Sequence, residues 1–184
     1  MEEEVYTVTI LIFRLCLVLA FLAAAVKWAD WKNWAKYYPT VLFVMVVNLA
    51  ASFLTYHHIL WNYNPDAMVK SQTIIELVNS FFMLPVTTFI YLSKMSACPS
   101  KRSQFGHIIF WILLYACLEF IDHYIVGGIS YKNGWSWPAS AIFDIAMFSI
   151  IWLHYLRPFA AWTISFAMTA AIILIFNFMS GEFK

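Results

Sequence analysis

Six stretches of the chain are apolar for about the twenty residues that a helix needs to cross a bilayer. They cover residues 5–26, 39–60, 69–92, 107–126, 137–156 and 159–179 and are separated by short polar segments. This spacing predicts an all-α, polytopic bundle of six transmembrane helices in a single domain, 1–184. Proline and glycine punctuate it. Pro39 and Pro138 fit the first turn of their helices, Pro85 predicts a kink, and Gly127 with Gly128 predicts a helix end.

Polar residues inside these runs recur at helical spacing. Gln72, Glu76, Asn79, Ser80, Met83 and Thr87 form one stripe. Trp111, Tyr115, Glu119, Asp122 and His123 form a second, and Ser140, Asp144, Met147, Ile151 and His154 a third. Asn48, Ser52 and Thr55 make a milder one. Each stripe is expected to face the bundle interior. At about 1.5 Å per residue, Glu76, Glu119 and Asp144 fall at one depth in the outer half of the membrane. Asp122, His123 and Arg14 lie near that depth, with His57 and His58 at the outer end of the second helix.

Composition narrows the class. Of 184 residues, 63% are hydrophobic and 11% charged, whereas a soluble domain carries about 25% charged residues. The net charge of +1 provides no basic surface for nucleic acid. Cys16, Cys98 and Cys117 are too scattered for a disulfide framework. Lys27, Lys32, Lys36, Lys94, Lys101, Arg102 and Arg157 follow the first, third and fifth helices, against Lys70, Lys132 and Lys184 on the other side. The positive-inside rule then puts both termini outside. Trp28, Trp31, Trp34, Tyr37 and Tyr38 are read as an inner aromatic belt, and Trp61, Tyr63, Trp135 and Trp137 as an outer one.

Four acids against Arg14 leave an excess of negative charge inside the bundle. An ionised group there costs on the order of 2.5–3.5 kcal/mol even on lenient scales. Some of Glu76, Glu119, Asp122 and Asp144 are therefore expected to be protonated, paired with histidine, or holding a cation. Arg14 either pairs with one of them as structural glue or binds substrate. Asn48, Asn79 and Ser52 read as helix–helix glue, with Asn79 also a candidate for substrate contact. His154, beside Arg157, reads as an anchor at the inner face.

Three chemistries fit. In the first, Glu119 and His123, one turn apart, begin a divalent metal site to which Glu76 and Asp144 add oxygens. In the second, Glu76, Glu119, Asp122 and Asp144 carry out acid–base chemistry on a hydrophobic, lipid-like or isoprenoid substrate held by Trp111, Tyr115, Asn79, Trp135 and Arg14. Aromatic faces would then stabilise cationic intermediates, in a pocket shaped like those of small membrane-integral terpene cyclases. In the third, the acids carry protons or a small cation across the membrane, which in a chain of this size calls for a homodimer. An accessory protein with a purely structural polar core is the plain alternative.

WKNWAKYYPT and NGWSWPASAIFDIAMFSIIWLHYLRPFAAW resemble an uncharacterised family of small multi-spanning membrane proteins from spore-forming bacteria of the Bacillus and Clostridium type. The likeness extends over most of the chain. It implies a bacterial cytoplasmic membrane and no particular reaction. It also marks Trp135, Asp144, His154 and Pro158 as part of the family's pattern.

Overall fold

The computed structural model describes residues 2–178; Met179 and Lys184 lie outside them. The expected six spans are present, each a helical stretch long and apolar enough to cross a membrane. The first is α1 (Glu2–Trp28) and the second α2 (Trp34–Leu54), led in by a 3-10 turn at Trp31–Asn33. The third joins α3 (Gln72–Val78) to α4 (Leu84–Ser96) through a π-helical turn at Asn79–Met83. The fourth, α5 (Lys101–Ile121), ends in a second π-helical turn, Asp122–Val126. The last two are α6 (Trp137–Leu156) and α7 (Pro158–Ile175).

Sequence chemistry accounts for several boundaries. Ser100 caps α5 by accepting from the Ser103 amide at 3.2 Å. Pro138 and Pro158 start α6 and α7, where no amide hydrogen is needed. Gly127 stops the fourth span at φ +76°, a left-handed cap. Pro85 lacks the amide that would reach back one turn to Phe81. The chain absorbs that loss in the π-helical turn just before it. Pro39 departs from expectation: α2 begins at Trp34, so Pro39 sits inside the helix and not in its first turn.

The second helix also ends earlier than its apolar run suggests, at Leu54 and not Leu60. The segment that follows forms β1 (Trp61–Tyr63), paired antiparallel with β2 (Ile129–Tyr131) in the register Trp61↔Tyr131, Asn62↔Ser130, Tyr63↔Ile129. The Lys132 amide bonds to the Leu60 carbonyl at 2.8 Å, and the Asn64 amide to that of Gly128 at 2.9 Å. Cross-loop pairing thus takes the backbone groups that a longer helix would have used. His57 and His58 consequently lie beyond α2, in the turn leading to the strand.

This two-stranded cap closes one end of the bundle. The Tyr6 hydroxyl of α1 donates to the Gly127 carbonyl at 2.6 Å, and the Ala67 amide bonds to the Thr7 carbonyl. Phe176, just after α7, meets Trp135 with ring centroids 5.1 Å apart. The two described ends of the chain therefore lie at the same end of the bundle.

The core between the helices is aromatic. Tyr91, Phe148, Trp111 and Tyr115 form successive ring contacts with centroids 5.0 to 6.3 Å apart. Outward-facing Ile12, Leu19, Phe110, Leu113, Ile142 and Phe166 are exposed, which in a multi-pass membrane protein is the face turned to lipid.

Candidate functional site

Beneath the strand cap lies a cavity of about 220 Å³, lined from the first five spans and both strands. Helix α6 brings Ser140, Asp144 and Met147 to it at helical spacing, together with Phe143. The fourth span brings Tyr115, Leu118, Glu119 and Asp122, and the third brings Asn79, Met83 and Leu84. Phe13, Leu17 and Phe21 of α1 and Asn48 of α2 complete the helical wall. Trp61, Tyr63, Ile129 and Trp135 close it from the cap. Helix α7 contributes nothing; it is the span whose apolar window is least buried.

Several polar residues around the cavity are set by a neighbour. Trp135 Nε1 donates to Ser140 Oγ at 2.8 Å, fixing the cap against α6. The Tyr131 hydroxyl donates to Glu119 Oε1 at 2.8 Å. Asn79 Nδ2 donates to the Tyr63 hydroxyl at 3.0 Å. Burial and then the charge of Glu119 hold the Tyr63 hydroxyl well above the ordinary tyrosine value. Burial, followed by the Glu119 carboxylate it bonds, does the same for Tyr131. Both phenols therefore remain neutral donors across the physiological range.

Two carboxyls differ. Asp144 is only 4% exposed and Asp122 9%, and Asp144 Oδ2 and Asp122 Oδ1 have no hydrogen-bond partner. Buried polar atoms are nearly always bonded, so two orphaned carboxyl oxygens on one cavity wall are unusual. Close packing holds Asp122 in place. A Cβ at Gly128 would run into Asp122 Oδ1, so only glycine lets the chain pass there.

The sequence stripes are thus partly gathered. Glu119, Asp122, Asp144, Tyr115, Asn79 and Trp135 do line the cavity. Glu76 does not: its carboxylate accepts from Gln72, one turn earlier on α3, at 2.8 Å. Trp111 does not either. It is buried in the aromatic core and donates to His107 Nε2 at 3.2 Å, because its position on α5 lies one turn below Tyr115, past the cavity floor.

Arg14 is also withdrawn from the site, and its partner is none of the four intramembrane acids. Nη1 binds Asp66 Oδ2 at 2.6 Å, and Nη2 binds the carbonyls of Asn64 and Gly128 at 2.8 and 3.2 Å. Asp66 is a loop residue whose Oδ1 accepts from the amides of Met68 and Val69. Burial by itself would raise its carboxyl, but the Val69 amide, the Arg14 guanidinium and the Met68 amide outweigh that and hold it below the ordinary value. Reasoning from intramembrane positions missed Asp66. The legible signal was Asn64-Pro65-Asp66, a turn sequence whose aspartate caps its own loop.

The proposed start of a metal site is not assembled. His123 Nδ1 faces the Ile129 carbonyl at 2.9 Å, its ring lies against Tyr131, and Glu119 is bound by Tyr131. Among the described residues, no three His, Cys, Asp or Glu side chains converge as metal ligands would.

His154, expected as an anchor at the inner face, is instead a core residue. It is 5% exposed, its Nδ1 meets Thr40 Oγ1 at 3.0 Å, and its ring stacks on Phe43 with centroids 4.0 Å apart. Of the residues read as an outer belt, Trp135 is buried. Trp137 Nε1 reaches the Ala116 carbonyl at 3.0 Å.

No family model, curated protein or solved structure compared with the chain matches it.

Proposed function

We propose that the chain is a membrane-embedded enzyme that uses Asp144 as a general acid on a lipid-like or isoprenoid substrate. The single observation behind this reading is the buried, unpartnered Asp144 carboxyl on an aromatic cavity wall. Among the described residues no basic side chain lines that cavity, and Arg14 is engaged by Asp66. With no cation beside it, a carboxyl so isolated is carried as the neutral acid, since its ionised form would be uncompensated. It can then donate a proton.

In the step proposed, the Asp144 O–H bond breaks and a C–H bond forms at a substrate double bond, leaving a carbocation. Trp61, Trp135, Phe143 and Tyr115 offer ring faces to it. A neighbouring C–H bond then breaks, its proton passes to the carboxylate of Asp122, which unlike Asp144 lies within the field of the Arg14 guanidinium, and a double bond or ring remains. The net change is isomerisation or cyclisation without oxidation or reduction. The proton returns to Asp144 through solvent. The cavity is smaller than the roughly 300–1,000 Å³ of drug-sized sites. It therefore takes a short substrate or one end of a longer chain. The resemblance to proteins of spore-forming bacteria supports placing the enzyme in a bacterial cytoplasmic membrane, with the strand-capped end outside.

The test compares lipid extracts of cells making the native chain, Asp144→Asn or Glu76→Gln, by mass spectrometry. A product should appear with the native chain and with Glu76→Gln, and fall at least about 100-fold with Asp144→Asn. Equal product from Asp144→Asn would overturn the reading. Proton-coupled flux in liposomes with no product formed would assign the cavity to transport.

A further inference from the structure

We infer that the cavity under the strand cap is selective for organic cations and takes the positively charged end of an ammonium-bearing amphiphile. The inference rests on reading the cavity as a ligand site and adds the charge of what it holds.

Three features carry it. The first is the charge of the wall. Glu119, Asp122 and Asp144 all line the cavity, and no Lys, Arg or His does so among the described residues. The nearest guanidinium, Arg14, is held by Asp66 and two carbonyls outside the wall. The second is the pair of orphaned atoms. Asp144 and Asp122 are each at least nine-tenths buried, and each leaves one carboxyl oxygen without a partner. Glu119, by contrast, is bonded by Tyr131. Asp122 Oδ1 is packed against Gly128, so Asp144 Oδ2 is the oxygen that calls for a donor the protein does not supply. The third is the aromatic lining. Trp61 and Trp135 meet at 5.4 Å between centroids, and Phe143 lies 6.3 and 6.2 Å from them, an arrangement of ring faces beside the acids.

An inorganic divalent ion would require converging oxygen or nitrogen ligands, and among the described residues no three His, Cys, Asp or Glu side chains converge in that way. An alkylammonium group needs carboxyl oxygens for its N–H donors, ring faces for its diffuse charge, and apolar wall for its chain. Phe13, Leu17 and Met147 provide that wall. The same features would favour a carbocation, so an alkylammonium also mimics the intermediate proposed above.

The experiment titrates purified full-length chain in non-ionic detergent with hexylammonium, hexanol and hexanoate. The readouts are the unfolding midpoint and tryptophan emission. Hexylammonium should bind at least tenfold more tightly than hexanol, and hexanoate should not bind. Asp144→Asn should weaken hexylammonium at least tenfold, and Phe143→Leu at least threefold, with hexanol unchanged in both. Phe143→Leu keeps the test open if Asp144→Asn fails to fold. Hexanol binding as tightly as hexylammonium would overturn the inference, as would hexanoate binding or hexylammonium binding unchanged by both variants. Loss of hexylammonium binding in Asp144→Asn with an unchanged lipid profile would retain the cation site and reject the enzyme.

Discussion

The two ends of the bundle treat their buried polar groups differently. Away from the strand cap, most are closed off against each other. His154 meets Thr40, the Tyr91 hydroxyl donates to the Phe148 carbonyl at 2.9 Å, and the Asp30 amide donates to Ser93 Oγ at 3.0 Å. The Trp111 indole N–H donates to His107 Nε2. Among the described residues at that end, Thr88 Oγ1 is the exception. Under the cap, Asp122 and Asp144 are buried without completing their bonds, although charged groups are far costlier to leave so than hydroxyls. One end thus reads as packing. The other maintains an arrangement that stability alone does not favour, as functional sites do.

The Arg14–Asp66 pair is the instructive contrast with Asp144. Both aspartates are buried, but one is bonded by a guanidinium and two amides and the other by nothing on its Oδ2. Asp66→Ala should therefore have the largest structural effect. It would strand a guanidinium that is 18% exposed, at a cost of about 3 kcal/mol, read as a lower unfolding midpoint in detergent. Asp66 also sets the sign of an acid effect. Its folded carboxyl lies below the ordinary 3.8, so its stabilisation is complete above that value and is lost as pH falls through the lower folded value. The midpoint of native protein should drop below about pH 4, and Asp66→Asn should flatten that drop.

Next in size is Gly128→Ala, which drives a methyl into Asp122 Oδ1. Overpacking of this kind costs about 1–3 kcal/mol and should also disturb ligand binding, checked by unfolding and titration together. At the opposite end, His154→Leu leaves Thr40 without its ring partner and should cost about 1–2 kcal/mol while leaving cation titration unchanged. The smallest stability effect is expected for Asp144→Asn, within about 1 kcal/mol of native in either direction, because Oδ2 forfeits no bond. A loss as large as that of Asp66→Ala would instead make Asp144 structural and erase the contrast between the two ends.

How much of this was legible in the chain follows from the distance over which each interaction acts. Helical spacing put Ser140, Asp144 and Met147 on one inward face, and that face lines the cavity. The same logic placed Glu76 inward, yet Gln72 on its own helix binds it and the cavity passes it by. Periodicity reports which side of a helix a residue occupies; how far a neighbour reaches along that side depends on packing. The strand pair was illegible because three-residue strands carry no periodic signal. Their pairing joins residues 61–63 to 129–131, and only folding brings those loops together.

The sequence by itself determined the solvent and the class. With hydropathy this high and charge this sparse, the backbone can satisfy its hydrogen bonds across a membrane only as helices, and the apolar runs set their number at six. It also determined that buried acids outnumber buried bases. Tertiary structure decided which acids stand alone. It gave Arg14 to Asp66 instead of Asp144, placed His154 in the core beside Thr40, and folded two loops over Asp122 and Asp144. Those are choices among partners distant in the chain. Charge and spacing name the candidates for such contacts, but only the packed geometry decides which of them meet.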